Sequence, residues 1–284
     1  MMTRREWGAL AAGGAGLLSQ AKRLSGQEYR ILKSDLKLGV ASYSFRKFTL
    51  DRTIQMTKEL GSPYINLKSF HLPLESTPQE IAAARKQVES AGLTIVGGGT
   101  ISFPKYDEAE IHRAFEYGKQ AGMPLLVVMP ERNVLPKLEK FVREYDIKIA
   151  VHNHGPEDKT FPTPQSALEV VKDMDPRCGL CIDIGHTART GVDVVESIVQ
   201  AGPRLLDMHV KDLKELSVKE SQCDCGDGKM PFPAIFQQLA KMGYQASANL
   251  EYEINENDPM PGMQRSFSYM RGVLAGLSYL NSKA

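Results

Sequence analysis

Short apolar runs alternate with amphipathic stretches along most of the chain. Each run has the length of a single strand, and the stretches between them are long enough for helices. The predicted strands are Leu38–Ser42, Tyr64–Leu67, Leu93–Val96, Leu125–Met129, Ile147–His152, Gly179–Ile184, Leu205–Val210 and Ala246–Glu251. This alternation predicts βα units and a parallel sheet.

The amphipathic stretches predict a helix after every strand. They are Leu50–Leu60, Pro78–Ala91, Glu108–Gln120, Val134–Tyr145, Pro164–Met174, Val194–Ala201, Pro233–Met242 and Met263–Leu277. The second has a clear start, because Thr77 is a good capping residue, Pro78 suits the first helical position and Glu80 lies in the first turn. Gly92 follows its last turn and predicts its end.

Eight strands alternating with eight helices predict the α/β class and a single-domain (β/α)₈ TIM barrel over residues 36–284. No linker or change of composition divides this part of the chain. The alternative is a doubly wound open sheet, which usually carries a glycine-rich phosphate loop after its first strand. Here the first predicted strand leads into Ser42-Tyr43-Ser44-Phe45-Arg46, which lacks that motif.

Residues 1–24 have the order of parts found in an export signal. Arg4 and Arg5 precede Trp7, a weakly apolar run extends over Gly8–Leu18, and Ser19-Gln20-Ala21 offers a small-residue cleavage pattern. The run is far shorter than the ~20 residues of a membrane-spanning helix. The order resembles a twin-arginine signal. We therefore expect an exported, periplasmic protein without stable membrane association after signal removal, and residues 25–35 as a lead-in to the barrel.

Composition narrows the function classes. Lys and Arg number 35 and Asp and Glu number 34, so the net charge of +1 argues against a nucleic-acid binder that works through bulk charge. A hydrophobic fraction of 42% argues against a disordered chain. Four cysteines are too few for a disulfide scaffold at this length, and their redox state is left open.

Polar side chains collect at the ends of predicted strands five to eight, where TIM barrels keep their active sites. These ends are His152-Asn153-His154, Asp183-Ile184-Gly185-His186, His209-Val210-Lys211 and Glu251-Tyr252-Glu253. They hold four of the six histidines in the chain. Residues two apart in a strand share a face, and the inward face of a barrel strand is usually apolar. One strand-end histidine is more often structural, but four such ends in succession indicate a site.

One ligand-type side chain from each strand makes a nitrogen and oxygen donor set for one divalent ion. His152, Asp183, His209 and Glu251 suit Mn²⁺, Fe²⁺, Co²⁺, Ni²⁺ or Zn²⁺, and Mg²⁺ is not distinguished from them.

The chain resembles the xylose isomerase-like TIM-barrel superfamily of sugar phosphate isomerases and epimerases over about residues 36–280. The matching pieces are Asp183-Ile-Gly-His186, His209-Val-Lys-Asp212, Gly226-Asp-Gly228 with Phe232-Pro-Ala-Ile-Phe236, Gly243-Tyr244 and Leu250-Glu251. The resemblance implies the same four metal ligands. It departs at His152, where the family usually has Glu.

That departure bears on mechanism. In the ketose 3-epimerases of this superfamily, two metal-bound glutamates on opposite faces of the sugar exchange a proton. With His152 in place of one of them, we expect one-sided proton transfer. The predicted catalytic residues are His154, His186 or Glu251 as the base, with Lys211 stabilising an enolate or binding a hydroxyl. The predicted substrate-binding residues are Lys68, His71 and Glu253, and for the first two a solvated loop position is an equal alternative.

The leading functional hypothesis is a metal-dependent sugar isomerase or epimerase-like enzyme that removes a proton next to the carbonyl of a keto sugar. The first alternative is a lyase or hydratase that cleaves 3-keto-glycosides by elimination, and the second is a non-catalytic sugar-binding barrel. A nuclease of the endonuclease IV kind needs three metals and more ligands than the chain offers. Substrate identity, phosphorylation and the metal are left open, as is homo-oligomerisation.

Overall fold

The computed structural model describes residues 36–281. Eight parallel strands form the barrel: β1 Lys37–Ala41, β2 Tyr64–Leu67, β3 Thr94–Phe103, β4 Leu125–Pro130, β5 Lys148–His152, β6 Cys178–Asp183, β7 Leu205–Val210 and β10 Ser247–Leu250. They close in the order β1-β10-β7-β6-β5-β4-β3-β2. A small antiparallel hairpin, β8 Asp212–Leu213 and β9 Gln222–Cys223, lies between β7 and β10 in the chain. The predicted (β/α)₈ barrel is confirmed.

The helices follow the strands as predicted. They are α1 Leu50–Glu59, α2 Pro78–Ser90, α3 Glu108–Gln120, α4 Glu139–Tyr145, α5 Pro164–Val171, α6 Ile184–Arg189, α7 Val194–Ala201, α8 Phe232–Lys241 and α9 Met260–Asn281. The cap predicted for α2 is present, because Thr77 accepts from the backbone N–H of Glu80 and the Glu80 carboxylate accepts from that of Thr77. None of the helices in residues 36–281 combines the length and apolar character needed to cross a membrane.

Three local features differ from the sequence prediction. The stretch predicted as one helix from Val134 begins as a 3₁₀ turn, Leu135–Leu138, before α4. The short helix α6 follows β6 directly, because the Asp183 side chain accepts from the backbone N–H of His186 and so caps it. Strand β3 continues through its three glycines, where a Cβ on Gly98 would collide with Met123 and one on Gly99 with the Val127 carbonyl.

The interior of the barrel changes from apolar to polar along the strands. Early in β4, β5 and β6 it is filled by a small apolar cluster: Leu125, Val127, Ala150 and Cys181. Toward the C-terminal ends the inward positions become His, Asp, Lys and Glu, while a larger apolar core lies between barrel and helices. Strand alternation directs these polar side chains inward. Because the strands are parallel, their C-terminal ends place them at the same end of the barrel.

Candidate metal centre

The four predicted metal ligands meet at the C-terminal end of the barrel. Asp183 lies directly beside His209 in the register of β6 and β7. One ligand atom from each of His152, Asp183, His209 and Glu251 lies within 4.8 Å of all the others, and all four residues are buried. The closed barrel thus gathers side chains that are far apart in the chain.

Distances among these atoms fit a divalent ion. His152 Nε2 lies 2.8 Å from His209 Nδ1, which is 3.3 Å from Glu251 Oε2. His152 Nε2 is 3.7 Å from Asp183 Oδ2. Four ligands at 2.0–2.1 Å from a tetrahedral Zn²⁺ would be roughly 3.3–3.4 Å apart. The donor set therefore has the span of one metal site.

One carboxylate oxygen in this set has no hydrogen bond. Asp183 Oδ1 accepts from the backbone N–H of His186 at 2.8 Å, which fixes the carboxylate. Its other oxygen, Oδ2, is buried without a hydrogen-bond partner and forms an ion pair with Lys211 Nζ at 3.0 Å. A buried carboxylate oxygen without a donor costs free energy unless a cation balances it. Lys211 supplies one such cation, and the coordination that Oδ2 still lacks is what a metal ion would provide, so these residues fit a metal ion.

The electrostatics favour the metal-binding protonation states. Burial opposes ionisation of Asp183, but His186, Lys211 and His152 together hold the pKa of its carboxyl well below the usual value. Burial likewise opposes ionisation of Glu251, and its neighbours His209 and Lys211 still lower its pKa. Burial lowers the pKa of His152 well below the usual value, so its imidazole is neutral. Metal ligands must be deprotonated in this way.

Lys211 bridges the carboxylates on the cavity side. Its Nζ lies 3.0 Å from Glu251 Oε2 and 3.2 Å from Glu253 Oε2, and the side chain is 3% exposed. Burial opposes its charge, but Asp183 and the two glutamates raise its pKa well above the usual value. Its stem passes close over Gly185, where a Cβ would lie 2.6 Å from Lys211 Cγ. A charged ammonium is therefore available to an oxygen that becomes negative.

Two imidazoles flank the ligand set, and neighbours determine which nitrogen carries a hydrogen. Arg189 Nη1 lies 3.1 Å from His186 Nδ1, and a guanidinium only donates. Neutral His186 therefore carries its hydrogen on Nε2. His154 Nδ1 lies 3.2 Å from Nδ1 of His152, whose Nε2 faces the ligand set. Burial lowers the pKa of both His154 and His186, so both are neutral near pH 7. His154 can thus accept from the outer nitrogen of a ligand and orient it.

A cavity of about 650 Å³ opens above the ligand set. Of the residues predicted from the sequence, seven line it: Lys68, His152, His154, His186, Lys211, Glu251 and Glu253. Lys68 is 4% exposed, with Nζ 3.1 Å from His209 Nε2 and 4.0 Å from Glu251 Oε1. The alternative of a solvated loop position does not hold for Lys68.

The structure does not bring His71 to this cavity. The chain turns back after β2, with the backbone N–H of His71 donating to the Lys68 carbonyl. The buried ring lies 2.9 Å from Thr53 Oγ1, 3.0 Å from Ser42 Oγ and 3.1 Å from the Phe45 carbonyl oxygen. Its bonding capacity is used in holding the segment after β1, so substrate binding is not its role, nor is it a solvated loop residue.

Sequence reasoning missed the polar layer beneath the ligands. The Asp207 carboxylate accepts from Asn249 Nδ2 at 2.7 Å and from Asn66 Nδ2 at 3.1 Å, and its Oδ2 lies 4.0 Å from His209 Nε2. Burial raises the pKa of Asp207. Asp207 and Asn249 each precede a predicted ligand by two residues, so alternation could have found them. The layer restricts the position of the His209 ring from below.

Two more side chains have roles that were not predicted. The carboxylate of Asp212, at the end of the His-Val-Lys-Asp motif, accepts from four backbone N–H groups: those of Leu213, Gly226, Gly228 and Met230. It therefore shapes the loop after β7. The side chain of Arg189 is 5% exposed and pairs with Glu157, so it holds His186 from a buried position.

The four cysteines are free and buried. Cys181 faces the barrel interior one layer below the ligands. With His152 and His209 it forms a second set of side chains that could bind a metal ion. Burial and Asp207 raise the pKa of its thiol well above the usual value. Metals bind the thiolate, so the set with Asp183 and Glu251 is favoured.

Comparisons with known proteins agree with this architecture. A family model described as "Xylose isomerase-like TIM barrel" matches residues 54–273. The rhizopine catabolism protein MocC of Rhizobium meliloti is 28% identical over 142 residues, 45% of this chain and 43% of that protein. Inosose dehydratase of Mesomycoplasma hyopneumoniae is 24% identical over 161 residues, 50% of this chain and 53% of that protein. The chain thus spans about half the length of the curated relatives it matches.

Solved structures share the fold at low identity. The IolI protein, in a 1.8 Å crystal structure with zinc bound, has a TM-score of 0.71 and 19% identity over 85% of this chain and 99% of that one. The 3-keto-D-glucoside 4-epimerase YcjR from E. coli has a TM-score of 0.69 and 17% identity over 84% of this chain and 99% of that one. With the family model matching well over half of its length, the chain belongs to the xylose isomerase-like TIM barrel family.

Proposed function

We propose that this protein is a divalent-metal-dependent enzyme of the sugar isomerase and epimerase kind, which removes a proton from the carbon next to the carbonyl of a keto sugar. The observation that carries the proposal is the buried donor set of His152, Asp183, His209 and Glu251 at the floor of an open cavity, with an unbonded oxygen on Asp183. Bound there, a divalent ion supplies Lewis-acid polarisation of a ketone or enolate oxygen.

The names of the matched proteins support the substrate class. They include inosose dehydratase, D-psicose 3-epimerase and 3-keto-D-glucoside 4-epimerase. A proton next to a carbonyl is acidic enough for one positioned base to remove, and such a base contributes about 10²–10⁴ in rate.

Different residues of the protein remove the proton, donate hydrogen bonds to the substrate and orient a metal ligand. Glu251 lines the cavity as a carboxylate whose lowered pKa keeps it ionised, so it is the base we assign. Lys211 donates a hydrogen bond to the oxygen that gains negative charge. His186 presents Nε2–H because Arg189 occupies its Nδ1, so it acts as a donor to a substrate oxygen and not as a base. His154 orients His152.

This division of roles favours elimination as a second candidate function. Symmetric epimerisation uses a base on each face of the sugar, whereas here strand β5 carries His152 in the position of the second glutamate. One base, Glu251, suffices to remove a proton from one carbon and, as the resulting carboxylic acid, to return it to the oxygen that leaves the next, while His186 Nε2–H donates a hydrogen bond to that oxygen. The second candidate is therefore a dehydratase or a lyase acting on 3-keto-glycosides.

The test is proton exchange in D₂O. Protein loaded with Mn²⁺ or Zn²⁺ is incubated with ketoses and with 3-keto-glucosides, and NMR records deuterium at the carbon next to the carbonyl. The proposal expects exchange that a chelator abolishes, with epimers formed by an epimerase and an unsaturated product formed by a lyase. Glu251→Gln should remove exchange, and Asp193→Asn, on the outer helix α7, is the matched control. Binding of these sugars without any exchange would instead make the protein a sugar-binding barrel.

His186→Ala separates donor from base, because Ala removes the N–H donor. Elimination should slow by about 10²–10³ while deuterium exchange and metal content persist. Loss of exchange in His186→Ala with exchange retained in Glu251→Gln would reverse the assignment of the base.

A further inference from the structure

Among residues 36–279, whose side chains the structure describes, Phe70 is the most exposed large apolar residue, with 57% of its surface accessible. It follows β2 and lies on the rim of the cavity above the metal centre. An aromatic ring in the wall of a cavity offers an apolar face to a bound ligand. Its position distinguishes it from Val199, which is 47% exposed on α7 and lines no described cavity.

Phe70 and Tyr43 together form what we call the aromatic wall. Their ring centroids are 5.4 Å apart at an interplanar angle of 74°. The Arg46 guanidinium lies 4.7 Å from the Tyr43 centroid and donates to the Glu253 carbonyl at 2.9 Å. Tyr43 is thereby tied to the segment after β10, which also contributes to the cavity. Arg46 therefore holds the Tyr43 half of the wall in place, and the Phe70 ring packs edge-on against it.

A second cavity adjoins the first at Ser69, the residue next to Phe70 in the chain. It has a volume of about 350 Å³ and also shares Thr100 with the first cavity. Its lining mixes apolar and hydroxyl-bearing side chains, among them Leu74, Ser102 and Tyr117. No lysine, arginine or histidine lines it among the described residues. Its charged side chain is the carboxylate of Glu75, so the second cavity suits an uncharged group whose hydroxyls can donate hydrogen bonds, and not an anion.

The lining of the first cavity is more highly charged than that of the second. Apart from the predicted site residues, its charged side chains are Glu157, Asp158, Lys159, Arg189 and Lys219. A ligand that occupies both cavities would have an oxygen-rich unit over the metal centre and a less polar unit beside the aromatic wall.

We propose that the aromatic wall and the second cavity form a subsite for the non-reacting ring of a glycoside, joined through its glycosidic bond to the keto sugar over the metal centre. The inference rests on the proposed function, which places the keto sugar. It names the substrate class as a keto-glycoside with an aromatic or second pyranose ring. A free keto sugar bound over the ligand set has no second ring to contact Phe70.

The kinetic test compares 3-keto-glucose with its methyl and phenyl glycosides, in both anomers, on metal-loaded protein. We expect kcat/KM for one phenyl glycoside to exceed that for the methyl glycoside by about tenfold or more, the range that apolar pocket contacts give. Phe70→Ala should remove that advantage and leave metal content and the rate on 3-keto-glucose unchanged. Val199→Ala is the control.

Binding separates this subsite from the proposed function. Isothermal titration with phenyl and methyl glucosides, which carry no ketone, needs no turnover. We expect the phenyl glucoside to bind more tightly, and the difference to fall about tenfold in Phe70→Ala and to decrease in Ser69→Ala. Equal binding of the two glucosides by the unmodified protein overturns the subsite, even if keto sugars exchange their protons. Tighter phenyl glucoside binding without exchange supports the subsite while the proposed function fails.

Discussion

Replacement of Asp183 by Asn separates metal binding from folding. Asp183 has two tasks on two oxygens: Oδ1 caps α6, and Oδ2 faces the ligand set without a hydrogen bond. Asn keeps a cap acceptor as effective as that of Asp, but it loses the charge and the second oxygen. Lys211 retains Glu251 and Glu253 as partners at 3.0 and 3.2 Å, so its ammonium is not left unpaired. The Asp183→Asn protein should fold.

The expected loss of metal affinity is large. Changes to residues that only support a ligand typically cost 10–100-fold in affinity, so loss of a ligand should cost about 100-fold or more. In saturating metal, a 100-fold weaker affinity removes about 2.7 kcal/mol of metal-dependent stability. At roughly 2–4 °C per kcal/mol for a domain of this size, Tm should fall by about 5–11 °C. Asp183→Ala also loses the cap, which costs about 0.5–2 kcal/mol more with or without metal.

The assay is thermal unfolding with excess Zn²⁺ or Mn²⁺ and again with a chelator, together with metal analysis after dialysis. Asp183→Asn should melt below the unmodified protein only when metal is present. Asp193→Asn is the matched control, because Asp193 caps α7 in the same way on the outside of the barrel. If Asp183→Asn retains full metal content and the full metal-dependent rise in Tm, the ligand assignment is refuted.

Three further predictions concern other parts of the chain. Asp212→Ala leaves four backbone N–H groups without their shared carboxylate. Since one unsatisfied buried donor costs about 1–3 kcal/mol, the free energy of unfolding in denaturant titrations should fall by about 3 kcal/mol or more. A loss below about 1 kcal/mol would show that Asp212 does not hold its loop. Burial raises the pKa of Cys223 to about 11 and that of Cys178 to about 12. At pH 8 the native protein should therefore react slowly with a thiol reagent, whereas the unfolded protein should expose four reactive thiols. Rapid labelling of the native protein would contradict this prediction. Residues 1–24 lie outside the described residues, and we propose that they direct twin-arginine export. The Arg4→Lys, Arg5→Lys double variant should remain in the cytoplasm. An undiminished amount of this variant in the periplasm would refute the signal.

The sequence by itself determined the barrel and the identity of its polar end. Apolar runs and amphipathic stretches reflect local periodicity, which survives in any tertiary arrangement, and eight alternations fit one closed parallel sheet. The same two-residue alternation placed His152, Asp183, His209 and Glu251 on inward faces at strand ends. The same alternation places Asp207 and Asn249, each two residues before a ligand, on the inward face of the barrel, although neither was predicted as a site residue.

Only the tertiary structure decided what the surrounding side chains do. Lys68 and His71 follow the same strand, yet a backbone turn sends the first to His209, 141 residues away in sequence, and the second to Ser42 and Thr53. The nitrogen of His186 that carries a hydrogen depends on Arg189, whose own burial depends on barrel closure. Hydrogen-bond direction and charge compensation are set by neighbours distant in sequence. The hydrophobic periodicity of the chain therefore does not predict them. The metal ligands were accessible from the sequence because strand ends converge, whereas the choice among the candidate bases, the donor role of His186 and the aromatic wall required the closed barrel.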